Sequence, residues 1–349
     1  MRRVVIVCPG RGSYGREELG SLRRLEAEAP ARTTEWLDRA DRIRKERGDS
    51  GVRELDALES FRPSCHLRGA QGSGLIYCGS WIDWQRIDPE KIEPVAVVGN
   101  SLGWYTALAV SGSLDFDSGF TLVDSMGRIQ DDLALGQQLI YPLVGENWQS
   151  DPEREERFQE ALQLVAGQVW ESIRFGGFSV LGGESPGLDA LEAHLAPVEL
   201  GGRSYPFRLA GSRGFHTPLA AEVSQEAVKT LTQKIGWSAP RIPLIDGQGR
   251  VWSPWSTDPA ELARYTLERQ VVGLFDFQAA VRGALTEFGP EAIVLLGPGD
   301  SLGAAVGQTL IRSGWWGIQD RADFQSRQNS NVPVVVSMGR SDQAQTVLR

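Results

Sequence analysis

Val95-Ala-Val-Val-Gly99-Asn-Ser101-Leu-Gly103-Trp-Tyr-Thr-Ala-Leu-Ala-Val-Ser-Gly112 is the stretch on which the fold turns. It reads as a short β-branched strand, a G-x-S-x-G turn and a helix closed by glycine. In such a nucleophile elbow the two glycines let strand and helix pack closely around a strained turn. The turn lifts the serine hydroxyl clear and aims the next backbone amide at a developing oxyanion. A plainer reading is that Gly99 and Gly103 only permit a tight turn and that Ser101 caps the helix. The flanking strand and helix favour the elbow.

Upstream, Arg3 to Cys8 reads as a buried strand stopped by Pro9-Gly10. From Arg16 to Arg47 the charges are dense, while Trp36, Leu37, Ala40 and Ile43 recur at helical spacing, which predicts a partly exposed helical segment. Gly74 to Ile87 reads as a further helix.

Downstream, short segments alternate in type: strand (138–144), helix (152–165), strands (172–175 and 178–181), helix (186–195) and strand (205–209). That is the β-α-β-β-α-β order of a ferredoxin-like unit. Ser185-Pro186 predicts an N-cap followed by proline in the first turn of its second helix. The large-domain pattern then resumes with an extended Pro243-Leu244-Ile245, helices over 259–269 and 277–287, and a strand at 293–296. The expected fold class is α/β: an α/β-hydrolase-like large domain (1–135 and 210–317) with an inserted ferredoxin-like small domain (136–209). Residues 318–349 form a C-terminal extension with few helix signals and one apolar run, and its end is a candidate for disorder.

A serine nucleophile needs a base, and the chain holds 3 histidines. His194 lies on an amphipathic helix and His66 in a loop-like stretch, positions that suit surface or packing roles. His216, in Ser212-Arg-Gly-Phe-His216-Thr-Pro-Leu, sits where the chain returns from the inserted unit, and such junctions commonly border ligand clefts. It is the best candidate base, although an ordinary structural histidine fits the same position.

Composition narrows the remaining classes. With 41% hydrophobic and 23% charged residues over 349 positions, the chain matches a folded globular protein. A formal charge of -9 disfavours non-specific nucleic-acid binding. No apolar run approaches the ~20 residues of a membrane span, and the run Val4 to Cys8 is too short for a signal-peptide core. A cytoplasmic location without membrane attachment is therefore expected. The 3 cysteines (Cys8, Cys65, Cys78) form no CxxC pair, so neither a disulfide framework nor a thiolate metal site is suggested.

These features together resemble the malonyl-CoA:acyl carrier protein transacylase family and the related acyltransferase domains of polyketide synthases. The pieces follow the family order: Pro9-Gly10-Arg11-Gly12-Ser13, Ala70-Gln71, Gly99-Asn-Ser101-Leu-Gly103, Phe215-His216-Thr-Pro-Leu, Gln270-Val-Val and Leu296-Gly297-Pro298-Gly299. The resemblance runs from about residue 3 to about residue 313, and the inserted unit sits where the family carries its small domain. It implies a transferase of fatty-acid or polyketide synthesis, similar to [acyl-carrier-protein] S-malonyltransferases. Such an enzyme takes a short acyl group, malonyl or similar, from coenzyme A onto Ser101. It passes the group to the phosphopantetheine thiol of an acyl carrier protein by a ping-pong route.

By the same resemblance His216 is the base, Gln270 marks the carbonyl that orients it, and the backbone amides of Leu102 and Arg11 form the oxyanion hole. Met126, Arg128, Phe215, Gln71 and Asn100 are the implied substrate-binding positions. Acyl-CoA and acyl carrier protein are the implied partners, with coenzyme A thioester as substrate and no resident cofactor or metal.

Several departures bear on the acyl group. Met126 stands where malonyl-specific members carry the arginine that pairs with the free carboxylate, and a buried carboxylate without a partner is costly. Arg11 replaces the usual glutamine, so Arg11, Arg128 and Arg213 are each open as sources of the missing charge. Asn100 replaces the usual histidine, and the family's Asn-x-Pro-x-Gln stretch is lost around Phe175-Gly176-Gly177. Phe215 resembles the version associated with small, unbranched acyl groups.

Three other readings compete. Gly10-Arg-Gly12-Ser-Tyr-Gly15 matches a dinucleotide-binding fingerprint, but the second strand ending in Asp or Glu that the fingerprint needs about twenty residues on is missing. Hydrolysis of acyl carrier protein thioesters uses the same serine, histidine and oxyanion hole, with water as acceptor. A non-catalytic interaction protein would not need Ser101, His216 and Gln270 in one chain.

Overall fold

The β-branched runs become the centre of the molecule. The computed structural model describes residues 1–330 and 332–349. Strand β1 (Arg2–Cys8) is followed by helices α1 (Ser21–Glu28) and α2 (Pro30–Lys45), which replace one long helical segment with two, broken before Pro30. Helix α3 (Gly69–Arg86) starts five residues earlier than the helix expected from Gly74. Strand β2 (Ile92–Gly99) then leads through the serine turn into α4 (Gly103–Val110). Helix α5 (Phe116–Leu133) begins where the Asp115 side chain accepts from the Ser118 amide, satisfying one of the free donors of a helix start.

The next unit follows the expected order: β3 (Gln137–Pro142), α6 (Pro152–Leu164), β4 (Val169–Phe175), β5 (Phe178–Gly183), α7 (Ser185–His194), the short ribbon β6 (Val198–Leu200) and β7 (Arg203–Tyr205), and β8 (Phe207–Arg208). The ribbon divides the end of this unit where a single strand was expected over 205–209. Ser185 is also not the cap: it is the first helical residue, behind Glu184, whose side chain makes no capping bond.

The chain continues through α8 (Ala221–Leu231), β9 (Leu244–Ile245), β10 (Val251–Trp252) and α9 (Pro259–Arg264), which widens into a π turn over Tyr265–Arg269 before Gln270–Val272. Then come β11 (Phe275–Asp276), α10 (Phe277–Phe288), β12 (Ala292–Leu295), α11 (Gly303–Arg312), α12 (Arg321–Gln328) and β13 (Val335–Ser337).

Two sheets organise these elements. The larger has the order β10-β9-β2-β1-β12-β13, parallel except for the β10–β9 pair. Strands β1 and β12 lie inside it; β1 from Val4 onward and all of β12 are apolar and buried, as the interior of a parallel sheet covered on both faces requires. The smaller has the order β11-β4-β5-β3-β8. Its pairs are antiparallel except β11 with β4, and it has its own apolar cluster around Leu139, Phe158, Leu181 and Leu188.

Two placements correct the expected division. Residues 318–349 are not an appended extension: Val335–Ser337 pairs in parallel with Ile293–Leu295 and forms one edge of the large sheet. Burial of Val334, Val335 and Val336 accounts for that docking. The end of the segment is also ordered into the fold, where Leu348 bridges to Ile87. Conversely, Phe275–Asp276, expected with the large domain, adds a parallel strand to the small sheet. Among the described residues no helix is long and apolar enough to cross a membrane.

Candidate active site

The elbow is built by contact distances that only glycine tolerates. A Cβ on Gly99 would stand 2.1 Å from the Gly103 carbonyl oxygen, and one on Gly103 would stand 2.1 Å from the Cys8 carbonyl oxygen. Between them Ser101 adopts a left-handed backbone (φ 53), a conformation that costs a non-glycine residue free energy and recurs where a side chain must be presented. The turn is closed by the Gly103 amide donating to Asn100 O at 2.8 Å, and fastened to β1 by the Asn100 amide donating to Cys8 O at 3.0 Å. Gly10 lies so close to Asn100 that an added Cβ would sit 2.6 Å from its carbonyl oxygen. The loop after β1, carrying Arg11, is therefore pressed against the elbow.

His216 also holds a left-handed backbone (φ 58), fixed by its amide donating to Val271 O at 2.8 Å. Its Nδ1 lies 2.6 Å from Gln270 O and its Nε2 lies 2.8 Å from Ser101 Oγ. A carbonyl oxygen can only accept, so Nδ1 carries the proton and Nε2 is left to accept the serine O–H. Burial disfavours the charged imidazolium and pushes the His216 pKa down to about 4, against the raising effect of its bond to Gln270 O. The ring is thus neutral at pH 7, with Nε2 in hydrogen-bond contact with the serine hydroxyl.

A second layer holds these atoms. The Gln270 side chain accepts from Tyr105 OH at 3.0 Å and donates to Ser101 O at 3.4 Å, tying the carbonyl-bearing residue back to the elbow. The π turn lies directly ahead of Gln270, and such widenings often mark functional positions. Ser172 donates to Phe215 O at 2.8 Å and accepts from Gln138 Nε2 at 2.7 Å, so the small sheet fixes the residue preceding His216. Tyr105, Ser172 and Gln138 were not singled out in the sequence. Tyr105 stands one helical turn after Ser101, a spacing that puts it on the same face, but nothing marks its partner.

The serine opens into a cavity of about 580 Å³ between the two sheets. Leu102, Arg11, Asn100, Met126 and Phe215 all line it, as expected of site residues. Its other walls are largely apolar, including Val123, Ile140, Ile173 and Phe178. Three lining side chains carry buried polar atoms without a partner: Arg11 Nη1, Ser73 Oγ and Asn100 Oδ1. The Arg11 guanidinium is otherwise held by Nη2, which donates to Leu67 O at 2.6 Å and Gly211 O at 2.8 Å.

Other expectations are corrected. Arg128 does not reach the cavity, because it is drawn into ion pairs with Asp49 and, at 3.3 Å, Asp124. Gln71 is not a lining residue either, although Gly72 and Ser73 are, and its buried Oε1 is without a partner. Arg213 is exposed and outside the lining. His66 is buried, with both ring nitrogens engaged by backbone, and His194 is exposed, bonded to Ala190 O at 2.7 Å. No group of three or more metal-ligating side chains occurs among the described residues.

With that geometry in hand, the likeness to known proteins has a structural counterpart. No protein-family model matches the chain. It is 24% identical over 252 residues to the malonyl CoA-acyl carrier protein transacylase of Haemophilus influenzae, covering 70% of this chain and 74% of the relative. It is 27% identical over 221 residues to the polyketide synthase GfsA of Streptomyces halstedii, covering 63% of this chain but only 3% of that much longer protein. Among solved structures, the malonyl-CoA:ACP transacylase of Synechocystis superposes with a TM-score of 0.74 at 20% identity, over 99% of this chain and all of the other. A malonyl-transacylase solved in complex with a type II polyketide acyl carrier protein superposes with a TM-score of 0.72 at 21% identity, over 100% of this chain and 99% of the other. The mixed α/β fold is that of the malonyl-CoA:acyl carrier protein transacylases, as the motif order implies.

Proposed function

We propose that this protein is a serine acyltransferase that moves a short acyl group, malonyl or similar, from coenzyme A to the phosphopantetheine thiol of an acyl carrier protein. The observation that carries the reading is the continuous line from Ser101 Oγ to His216 Nε2 at 2.8 Å and from His216 Nδ1 to Gln270 O at 2.6 Å, opening on the cavity between the sheets. The relatives reported above are named for transfer, which favours transfer over hydrolysis by the same serine.

In the first half-reaction Ser101 Oγ attacks the thioester carbonyl as its proton passes to His216 Nε2. The C–S bond breaks, and the departing coenzyme A thiolate takes that proton. In the second, His216 deprotonates the phosphopantetheine thiol, whose sulfur attacks the acyl-serine ester and expels Ser101, which is reprotonated. The amides of Leu102 and Arg11 are the proposed oxyanion donors, helped by the positive end of α4. The Gln270 carbonyl holds the tautomer and supports the transient imidazolium, the part an acidic third residue plays elsewhere. The acyl group arrives on coenzyme A, which is a substrate, so no resident cofactor or metal enters these steps.

The two units are assigned as α/β-hydrolase-like, residues 1–135 and 210–317, and ferredoxin-like, residues 136–209, with 318–349 joined to the former. The strand order β8-β3-β5-β4 within the small sheet supports the second assignment. A cytoplasmic location completes the proposal.

Mass spectrometry of the purified protein after mixing with malonyl-CoA or acetyl-CoA tests it. One acyl adduct on Ser101, discharged on adding an acyl carrier protein that bears its phosphopantetheine arm, is the expected result. Steady release of coenzyme A without acceptor would favour the hydrolase, and no adduct with either thioester would overturn the reading.

A further inference from the structure

We infer that Arg11 is the anion-binding residue of the acyl pocket and selects acyl groups that end in a free carboxylate. This rests on the acyl-transfer reading above and deepens it. With Met126 on the pocket wall, three arginines were open as substitutes for the missing charge. Arg128 is consumed by Asp49 and Asp124, and Arg213 is exposed outside the lining. Of the three only Arg11 lines the cavity that holds Ser101; the other arginines of that lining, Arg68 and Arg203, are exposed, and Arg68 pairs with Asp131 at 3.5 Å.

Its head group is fixed but incomplete. Nη2 donates to the carbonyls of Leu67 and Gly211, while Nη1 is buried and has no partner, and no carboxylate forms an ion pair with the side chain among the described residues. Of the charges that act on it, Asp131 is occupied elsewhere, its two oxygens accepting from the Gly69 and Ala70 amides at 2.9 Å, and Arg213 repels. Burial accordingly pulls the Arg11 pKa below its ordinary value.

The position also fits. Leu67, which holds Arg11, is two residues from Gly69, and Gly69 packs so tightly on Gly127 that a Cβ would lie 2.4 Å from its carbonyl oxygen. Gly127 is the neighbour of Met126, and Met126 and Arg11 both line the cavity. A guanidinium without an ionic partner, lining the same cavity as Ser101 and with one buried nitrogen unpartnered, is completed by an anion, and a planar carboxylate suits its donor geometry.

Two anions reach such a pocket: the carboxylate of the acyl group and the phosphates of coenzyme A. Replacing Arg11 by glutamine keeps the backbone amide and removes the charge. The readout is the selectivity of Ser101 acylation, malonyl against acetyl, measured by stopped-time mass spectrometry with both the coenzyme A thioesters and the phosphate-free N-acetylcysteamine thioesters. Arg11→Gln is expected to lower the malonyl-to-acetyl ratio roughly 10- to 100-fold in both series. An unchanged ratio in both series would overturn the inference, as would a change confined to the coenzyme A thioesters, which would assign Arg11 to phosphate.

If Arg11→Gln fails to fold, the unaltered enzyme still decides. The malonamyl thioester, which keeps the shape of malonyl without its charge, should acylate Ser101 at least about tenfold more slowly than malonyl, and equal rates would overturn the inference. Failure of every thioester to acylate Ser101 would instead count against the transferase reading itself.

Discussion

The serine–histidine line and the cavity lining around it are built on opposite principles. Around Ser101 every polar group that matters is engaged: serine to histidine, histidine to the Gln270 carbonyl, the Gln270 amide to Tyr105 and Ser101 O. In the lining around it Arg11, Ser73 and Asn100 each keep a buried polar atom without a partner. A protein interior normally satisfies such atoms. The contrast teaches that the chemistry is wired in advance, whereas recognition is left to be completed by what binds.

The contrast breaks most severely if the wired side is cut. Ser101→Ala or His216→Ala is expected to lower the acylation rate by about 10⁴-fold or more. The double variant should be little worse than either single one, because the pair acts as a unit. Rapid-quench assays with malonyl-CoA check both statements, and additive losses would deny the coupling. Gly103→Ala forces a methyl group against the Cys8 carbonyl, and a destabilisation of about 3 kcal/mol or more is expected in denaturant titrations.

A pH titration probes the same side more gently. The buried His216 has its pKa pushed down to about 4, so the folded state resists a proton that the unfolded chain accepts below about 6.5. Stability is therefore full above pH 6.5 and falls as the pH drops toward 4, by at most about 3 kcal/mol. The fall should be absent in His216→Asn, and the acid limb of kcat/KM should lie near pH 4 while the fold holds. An acid limb near 6.5 would contradict the burial argument.

The smallest effects sharpen the comparison itself. Ser172→Ala removes a hydroxyl that serves both Phe215 O and Gln138, and should cost about 1–3 kcal/mol with slower acylation. Ser73→Ala removes a buried hydroxyl that serves no one, and should be neutral or stabilising by up to about 1 kcal/mol. Equal losses at the two serines, measured by thermal unfolding, would erase the distinction drawn here.

Legibility in the sequence followed the range of the interactions. The elbow is local: strand, turn and helix lie within one short run, and both glycines announce the close approach that the structure contains. The order β3-α6-β4-β5-α7 was readable for the same reason, each element carrying its own periodicity. What was lost depends on distant partners. Val334-Val335-Val336 stood out as the apolar run of the last segment but not as an edge of the large sheet, since parallel pairing with β12 leaves no local trace. Arg11 and Arg128 looked alike as free cations. Only the fold shows Arg128 taken by Asp49, 79 residues away, and Arg11 tied to carbonyls 56 and 200 residues away.

The neck of the inserted unit has a mechanical consequence. The chain enters it past Leu135 and leaves it at Gly214, and the two are clasped by the Gly214 amide donating to Leu135 O at 2.9 Å. His216 stands two residues beyond that clasp. The end of β5 packs on the same neck, and at the other end of that strand the Gly177 amide donates to Gln308 Oε1 at 2.7 Å while β4 pairs with Phe275–Asp276, so the small sheet is latched to the large unit at both ends. The imidazole therefore rides on a beam braced at both ends, and its spacing from Ser101 is kept by that bracing as well as by its own hydrogen bonds.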